Sequence, residues 1–99
     1  MKNILAKISL KLNDSSSKED WKKMSDAITK SLESVDGFIY RDSAISEDGT
    51  VYCFIKWESI EKQEAFRKIL ESDAFKNEMG EFAKIANMES MQSEILQVV

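Results

Sequence analysis

Gly37-Phe38-Ile39-Tyr40-Arg41-Asp42-Ser43-Ala44-Ile45-Ser46, then Glu47-Asp48-Gly49-Thr50, then Val51-Tyr52-Cys53-Phe54-Ile55-Lys56-Trp57-Glu58-Ser59 form one continuous stretch whose reading decides the fold. Two runs rich in β-branched and aromatic residues flank a turn centred on Asp48-Gly49, the strongest short-range signal for a hairpin. In the second run Val51, Cys53, Ile55 and Trp57 alternate with Tyr52, Phe54, Lys56 and Glu58. Both alternating sets are partly apolar, as in a strand covered on both faces. A chain of 99 residues cannot readily cover both faces of a sheet by itself. The hairpin therefore points to a partner subunit before it points to any reaction.

Outward from the hairpin, residues 3–12 place Ile4, Ala6, Ile8, Leu10 and Leu12 on one face and mostly polar residues on the other, a half-buried strand. Residues 13–17 read as a turn, with Ser16 and Glu19 offering a capping box for the next helix. Trp21, Met24, Ile28, Leu32 and Val35 recur at spacings of three and four and give that helix one apolar stripe. Gly37 is placed to end it in a left-handed conformation. The hairpin strands span 38–46 and 50–58. Ser59 then caps a helix carrying Ala65, Phe66, Ile69 and Leu70, and Ser72-Asp73 break and restart it. A further helix carries Phe75, Met79, Phe82, Ala83 and Ala86, and residues 91–99 return to strand composition.

The resulting order is β-α-β-β-α(α)-β, the ferredoxin-like split βαβ arrangement of the α+β class. It implies an antiparallel sheet with helices on one face, and a single domain over residues 1–99. Tyr52, Phe54, Ile39 and Ile45 are candidates for the free face, and a two-fold homodimer with sheets face to face would cover them.

Hydrophobic content of 42% with 32% charged residues belongs to a globular domain and not to a disordered one. A net charge of −4, with no basic run longer than Lys22-Lys23, argues against nucleic acid as the partner. No apolar run approaches a membrane span, and Met1-Lys2-Asn3-Ile4 opens a strand-like alternation instead of a signal peptide. The lone Cys53 allows no internal disulfide, which suits a reducing cytoplasm, and its mid-strand place suits a buried structural thiol.

The chain contains no histidine, which removes the usual Ser-His-Asp and Cys-His nucleophile systems and any histidine-ligated metal or haem. There is no cysteine pair for zinc or iron–sulfur, and Gly37, Gly49 and Gly80 are too isolated to build a phosphate loop. No cofactor is expected. The charged clusters Lys18-Glu19-Asp20 and Glu61-Lys62-Gln63-Glu64 read as solvated helix faces. What remain as candidate catalytic groups are Arg41, Tyr40, Tyr52 and Trp57, although aromatic residues in a hairpin more commonly fill a core or an interface.

At these residues the chain resembles a family, the antibiotic-biosynthesis-monooxygenase superfamily of small dimeric α+β barrels. The resemblance covers almost the whole sequence. It is carried by Gly37-Phe38-Ile39, by Val51 to Ser59 leading into Ala65-Phe66, and by Leu70-Glu71-Ser72-Asp73-Ala74-Phe75-Lys76. It implies a homodimer with a cavity in each subunit between sheet and helices. Members include cofactor-independent oxygenases of polyphenols or quinols, haem-degrading enzymes, and proteins without an established activity. The haem-degrading branch uses an Asn, a Trp and an axial His, and ungapped matching sets these at Ile8, Ile69 and Met79. Only Met79 there offers even a weak iron ligand, so haem chemistry does not carry over.

The pocket so implied would have Ile8, Trp57, Phe66, Ile69, Phe75, Met79 and Phe82 in its wall, with Trp57 and Met79 facing one another. Three functions fit. One is a cofactor-independent oxygenase of an electron-rich aromatic, with Arg41 stabilising an oxyanion, Tyr40 or Tyr52 orienting a phenol and Trp57 stacking. The second is a non-catalytic binder of a small apolar or aromatic ligand. The third is a structural homodimer with a filled cavity.

Overall fold

A computed structural model describes residues 3–14, 17–72 and 75–99. The elements run β1 (Ile4–Leu12), α1 (Lys18–Leu32), β2 (Phe38–Ile45), β3 (Thr50–Trp57), α2 (Ile60–Leu70), α3 (Lys76–Ile85) and β4 (Ala86–Gln97). The strands form one sheet in the order β2-β3-β1-β4, antiparallel throughout. This is the expected ferredoxin-like α+β arrangement.

Several boundaries differ from the sequence reading for identifiable local reasons. The capping box that opens α1 is formed by Ser17 and Asp20, while the expected Ser16 lies outside the described residues. The Ser17 hydroxyl accepts from the Asp20 amide at 3.2 Å, and the Asp20 carboxylate accepts from the Ser17 amide at 2.9 Å. The Ser17 amide donating to the carboxylate, and after it the Ser17 side chain, hold the Asp20 carboxyl below its ordinary pKa. Helix α1 ends at Leu32, with Glu33 at its C-cap still right-handed. Gly37 does adopt a positive φ of 88°, but as the last residue of the turn into β2 and not as the helix cap. A Cβ there would run into the Lys62 side chain, which is paired to Asp36.

The break between α2 and α3 falls where expected, although Asp73 lies outside the described residues. Ala86 opens β4 instead of closing α3, so the last strand starts five residues before 91. The Asn13 side chain fixes that corner by donating to the carbonyls of Ala83 and Lys84 at 3.1 and 2.9 Å. The polar sequence Asn87-Met88-Glu89-Ser90 conceals a strand there because β4 is an edge with little burial to enforce alternation.

Cross-strand pairing resolves which side chains share a face. Val51, Cys53, Ile55 and Trp57 are buried under the helices with Ile4, Ala6 and Leu10 of β1. Tyr52, Phe54 and Lys56 point to the other face, with Leu5, Lys7 and Ser9 opposite them. Of the residues expected on that free face, Tyr52 and Phe54 are there, whereas Ile45 packs under the helices against the Val51 cluster. Ile39 is the extra residue of a bulge, since Phe38 pairs with Trp57 but Tyr40 with Lys56. Among the described residues, no helix is long and apolar enough to cross a membrane.

Candidate functional site

Beneath the helices the core divides into two clusters. At one end Ile4, Ala6, Leu32, Ile55 and Trp57 pack with Phe38, Ile60 and Phe66. At the other end Leu10, Trp21, Val51, Cys53 and Ala86 pack with Met24, Phe82 and Ile85. Ile8 belongs to the margin of both. The register shows why they separate there. Two rows cross the helix-bearing side of the sheet at its middle: Arg41–Ile55–Ala6–Ile95 and Ser43–Cys53–Ile8–Ser93. Small or polar residues at Ala6, Ser43, Cys53 and Ser93 leave this band thin between the bulky rows on either side. Toward β4 the band is uncovered, with Ile95 43% exposed.

A polar network occupies the β2 end of the band. The Arg41 Nη1 donates to the Ser25 hydroxyl at 2.6 Å, the Ser25 carbonyl at 3.2 Å and the Thr29 hydroxyl at 3.1 Å, all on α1. Its Nη2 donates to the Cys53 sulfur at 3.3 Å. The Trp21 indole N–H donates to the Ser43 hydroxyl at 3.0 Å, and that oxygen lies 3.6 Å from the Cys53 sulfur. The Arg41 Nε is buried without a hydrogen-bond partner. No carboxylate among the described residues forms an ion pair with Arg41. A groove of about 710 Å³ opens outward from this network between α1 and β2, walled by Trp21, Ser25, Thr29, Arg41, Ser43 and Ile45 among others.

Arg41 thus stands in a polar site on the helix side, held by neutral acceptors instead of an exposed salt bridge. Trp57 is 1% exposed and fully committed to the core, with the Phe66 and Phe38 rings 5.2 and 6.1 Å from it. Tyr40 and Tyr52 lie on the opposite face of the sheet, each with a lysine ammonium 5.9 Å from its ring, Lys56 over Tyr40 and Lys7 over Tyr52. The sheet separates them from Arg41 and Trp57, so these four do not converge.

Of the expected pocket wall, Ile8 sits at the seam, Phe66 packs beside Trp57, and Phe82 meets Trp21 edge-on at 5.9 Å. Ile69 is 45% exposed, and Phe75 and Met79 are half-buried outside both clusters. None of the seven lines the α1–β2 groove. Ser25, Thr29 and Ser43 are the polar groups the sequence reading passed over, while Cys53 is the buried mid-strand thiol it expected. The available signal was Ser25, a buried hydroxyl at a position four after Trp21 and three before Ile28, where the stripe calls for an apolar residue.

No family model matches the chain, and no curated protein matches it in sequence. Solved structures match over nearly their full length. SnoaB, a cofactor-independent oxygenase from Streptomyces nogalater, superposes with a TM-score of 0.71 at 10% identity, covering 100% of this chain and 93% of that one. The fold is that of the monooxygenase-type α+β barrels. A Nitrosomonas europaea protein provisionally assigned to antibiotic biosynthesis monooxygenases gives 0.77 at 11% identity, covering 99% and 91%. A conserved Bacteroides thetaiotaomicron protein of unknown function gives 0.72 at 16% identity, covering 98% of each chain.

Proposed function

We propose that this chain is a homodimeric member of the antibiotic-biosynthesis-monooxygenase superfamily that handles a small aromatic substrate of polyphenol or quinol type, by cofactor-independent oxygenation. The observation that carries this reading is the thin band across the helix-bearing side, with Ile8 at its centre, Trp57 and Phe66 on one flank and Trp21 and Phe82 on the other. A planar ligand entering at the uncovered β4 side would meet apolar walls and few directional groups. Ile69 on α2, Met79 on α3 and Phe75 at the N-cap of α3 belong to the segment that would close over it. The fold shared with SnoaB supports oxygenation as the chemistry.

In such a reaction the substrate anion itself reduces oxygen: a phenol and O2 give a para-quinone and water, so neither metal nor flavin has to supply electrons. The protein's task is to bind the anion away from water and let oxygen reach it. Oxygen uptake with a panel of quinols and polyphenols, corrected for autoxidation, tests the proposal. A rate above that blank is expected for at least one ring system. Saturable binding with no such rate for any of them would replace it by the second reading, a non-catalytic ligand binder.

The uncovered sheet face supports the homodimer, because Leu5, Tyr52, Phe54 and Leu96 lie half-buried on a surface with no helix over it. A stable interface buries about 1,200–2,000 Å² in total. Sedimentation equilibrium should give a dimer, and a monomer at micromolar concentration would refute it. Haem should not be tightly bound, since the chain has no histidine and Ile8, Ile69 and Met79 stand where the haem-degrading branch has its functional trio. A sharp Soret shift at stoichiometric haem, lost in Met79→Ala, would contradict this.

A further inference from the structure

We propose that the groove between α1 and β2 binds a small aromatic anion, a carboxylate or phenolate carried on a planar ring, with Arg41 as its counter-charge. This deepens the ligand-handling reading above by assigning the charge class of the ligand and the side from which it is held.

Arg41 carries a permanent charge into a half-buried position and meets no carboxylate there among the described residues. A structural arginine at such depth is ordinarily paired, because an uncompensated charge away from water is costly. Serine and threonine hydroxyls, a carbonyl and a thiol stand in as its acceptors. They satisfy hydrogen bonds but leave the charge unbalanced. Guanidinium has five N–H groups. The Nε–H has no partner, and Nη2 has two hydrogens for its single contact with Cys53. That leaves one Nη2 hydrogen for an oxyanion, while the Nε–H, itself buried, meets the anion only if the side chain shifts.

The surroundings fit a ring behind the charged group. Trp21, Ala44 and Ile45 supply apolar wall beside the hydroxyls of Ser25, Thr29 and Ser43. Lys18, Lys22 and Lys30 stand along the α1 side of the rim with Asp26 and Glu33, and Asp42 lines the β2 side, so that with Arg41 the groove carries four cations against three carboxylates. Lys22 is balanced by Asp26 at 3.0 Å, while Lys18 and Lys30 form no ion pair among the described residues. Cys53, which touches Arg41, pairs across the sheet with Ile8. The anion site therefore abuts the seam proposed to hold the substrate.

Benzoate and its neutral isostere benzamide separate charge recognition from simple apolar binding. Titration followed by amide NMR should show saturable benzoate shifts at Ser25, Thr29 and Ser43, with benzamide weaker by roughly tenfold or more, as a charge-assisted hydrogen bond implies. Arg41→Gln should reduce benzoate to the affinity of benzamide. If that variant does not fold, Thr29→Glu serves, because it places a carboxylate beside the guanidinium and should abolish the same preference. Equal binding of the two probes, absence of shifts at these residues, or benzoate affinity unchanged in both variants would overturn the proposal. Oxygen uptake is not read in this experiment. Benzoate selectivity in a chain that oxidises no quinol would uphold the anion site and reject the oxygenase reading. Quinol oxidation without benzoate selectivity would do the reverse.

Discussion

The two tryptophans mark ends of the same core that are built on different terms. Trp57 packs in an apolar cluster, with Ile4, Ile55 and Leu32 and with the Phe66 and Phe38 rings against it. Trp21 is nearly as buried, at 3% exposure, yet its indole N–H is bonded to Ser43, and Cys53, Ser25 and Arg41 complete a polar network behind it. An apolar cluster gains stability from every contact. A polar network gains uniqueness and chemistry at some cost in stability. The first end therefore anchors the fold, and the second holds the charge, unpaired among the described residues, on which the proposed ligand site rests.

The largest effect should come from the apolar end. Trp57→Ala removes a fully buried indole from under two rings and should cost about 3–5 kcal/mol in urea unfolding. A loss below about 1 kcal/mol would show that the two ends are not so different. At the polar end Trp21→Phe keeps the ring against Phe82 but strips a donor from Ser43, and a loss of about 1–2 kcal/mol is expected. Arg41→Met should leave stability unchanged or raise it by about 1 kcal/mol, because an apolar chain of similar length replaces an uncompensated charge. Destabilisation by more than about 2 kcal/mol would make Arg41 a structural strut instead.

The smallest expected effect lies outside both ends, at the hairpin tip. There the Ser46 hydroxyl and the Thr50 amide donate to Asp48 and pull its carboxyl from 3.8 down to about 2. A depressed folded-state pKa contributes stability above pH 3.8 that is lost as pH falls toward 2. Asp48→Asn should flatten the stability profile in that window alone. An identical slope in the variant would remove Asp48 from the acid response.

Most of the architecture was legible because it rests on periodicity. The alternation of residues 4–12 and 51–57 and the Trp21–Leu32 stripe correspond to β1, β3 and α1. Strand β4 was half-hidden because it is a polar edge, and edges are under little pressure to alternate. The site was less legible for another reason. Ile8 and Arg41 were singled out, but Ser43, Cys53, Ser25 and Thr29 matter here only through cross-strand register and the docking of α1, and neither is written in local spacing. Tyr40 and Tyr52 looked like companions of Arg41 and Trp57 because the run is rich in all of them, whereas the sheet puts the tyrosines on its other side.

The bulge at Ile39 lets β2 keep Phe38 and Arg41 on the same helix-facing side although they stand three positions apart, a spacing that plain alternation forbids. With Ile39 paired regularly instead of bulged, alternation from Phe38 would turn Tyr40, Asp42 and Ala44 toward the helices and Arg41 and Ser43 toward the open sheet face. A single-codon deletion of Ile39 would therefore remove the irregularity and leave Phe38, Arg41 and Ser43 on the helix side in plain alternation. A relative lacking this one residue would carry the same helix-side set on a straight strand, so the two chains would share a groove polarity despite differing in length.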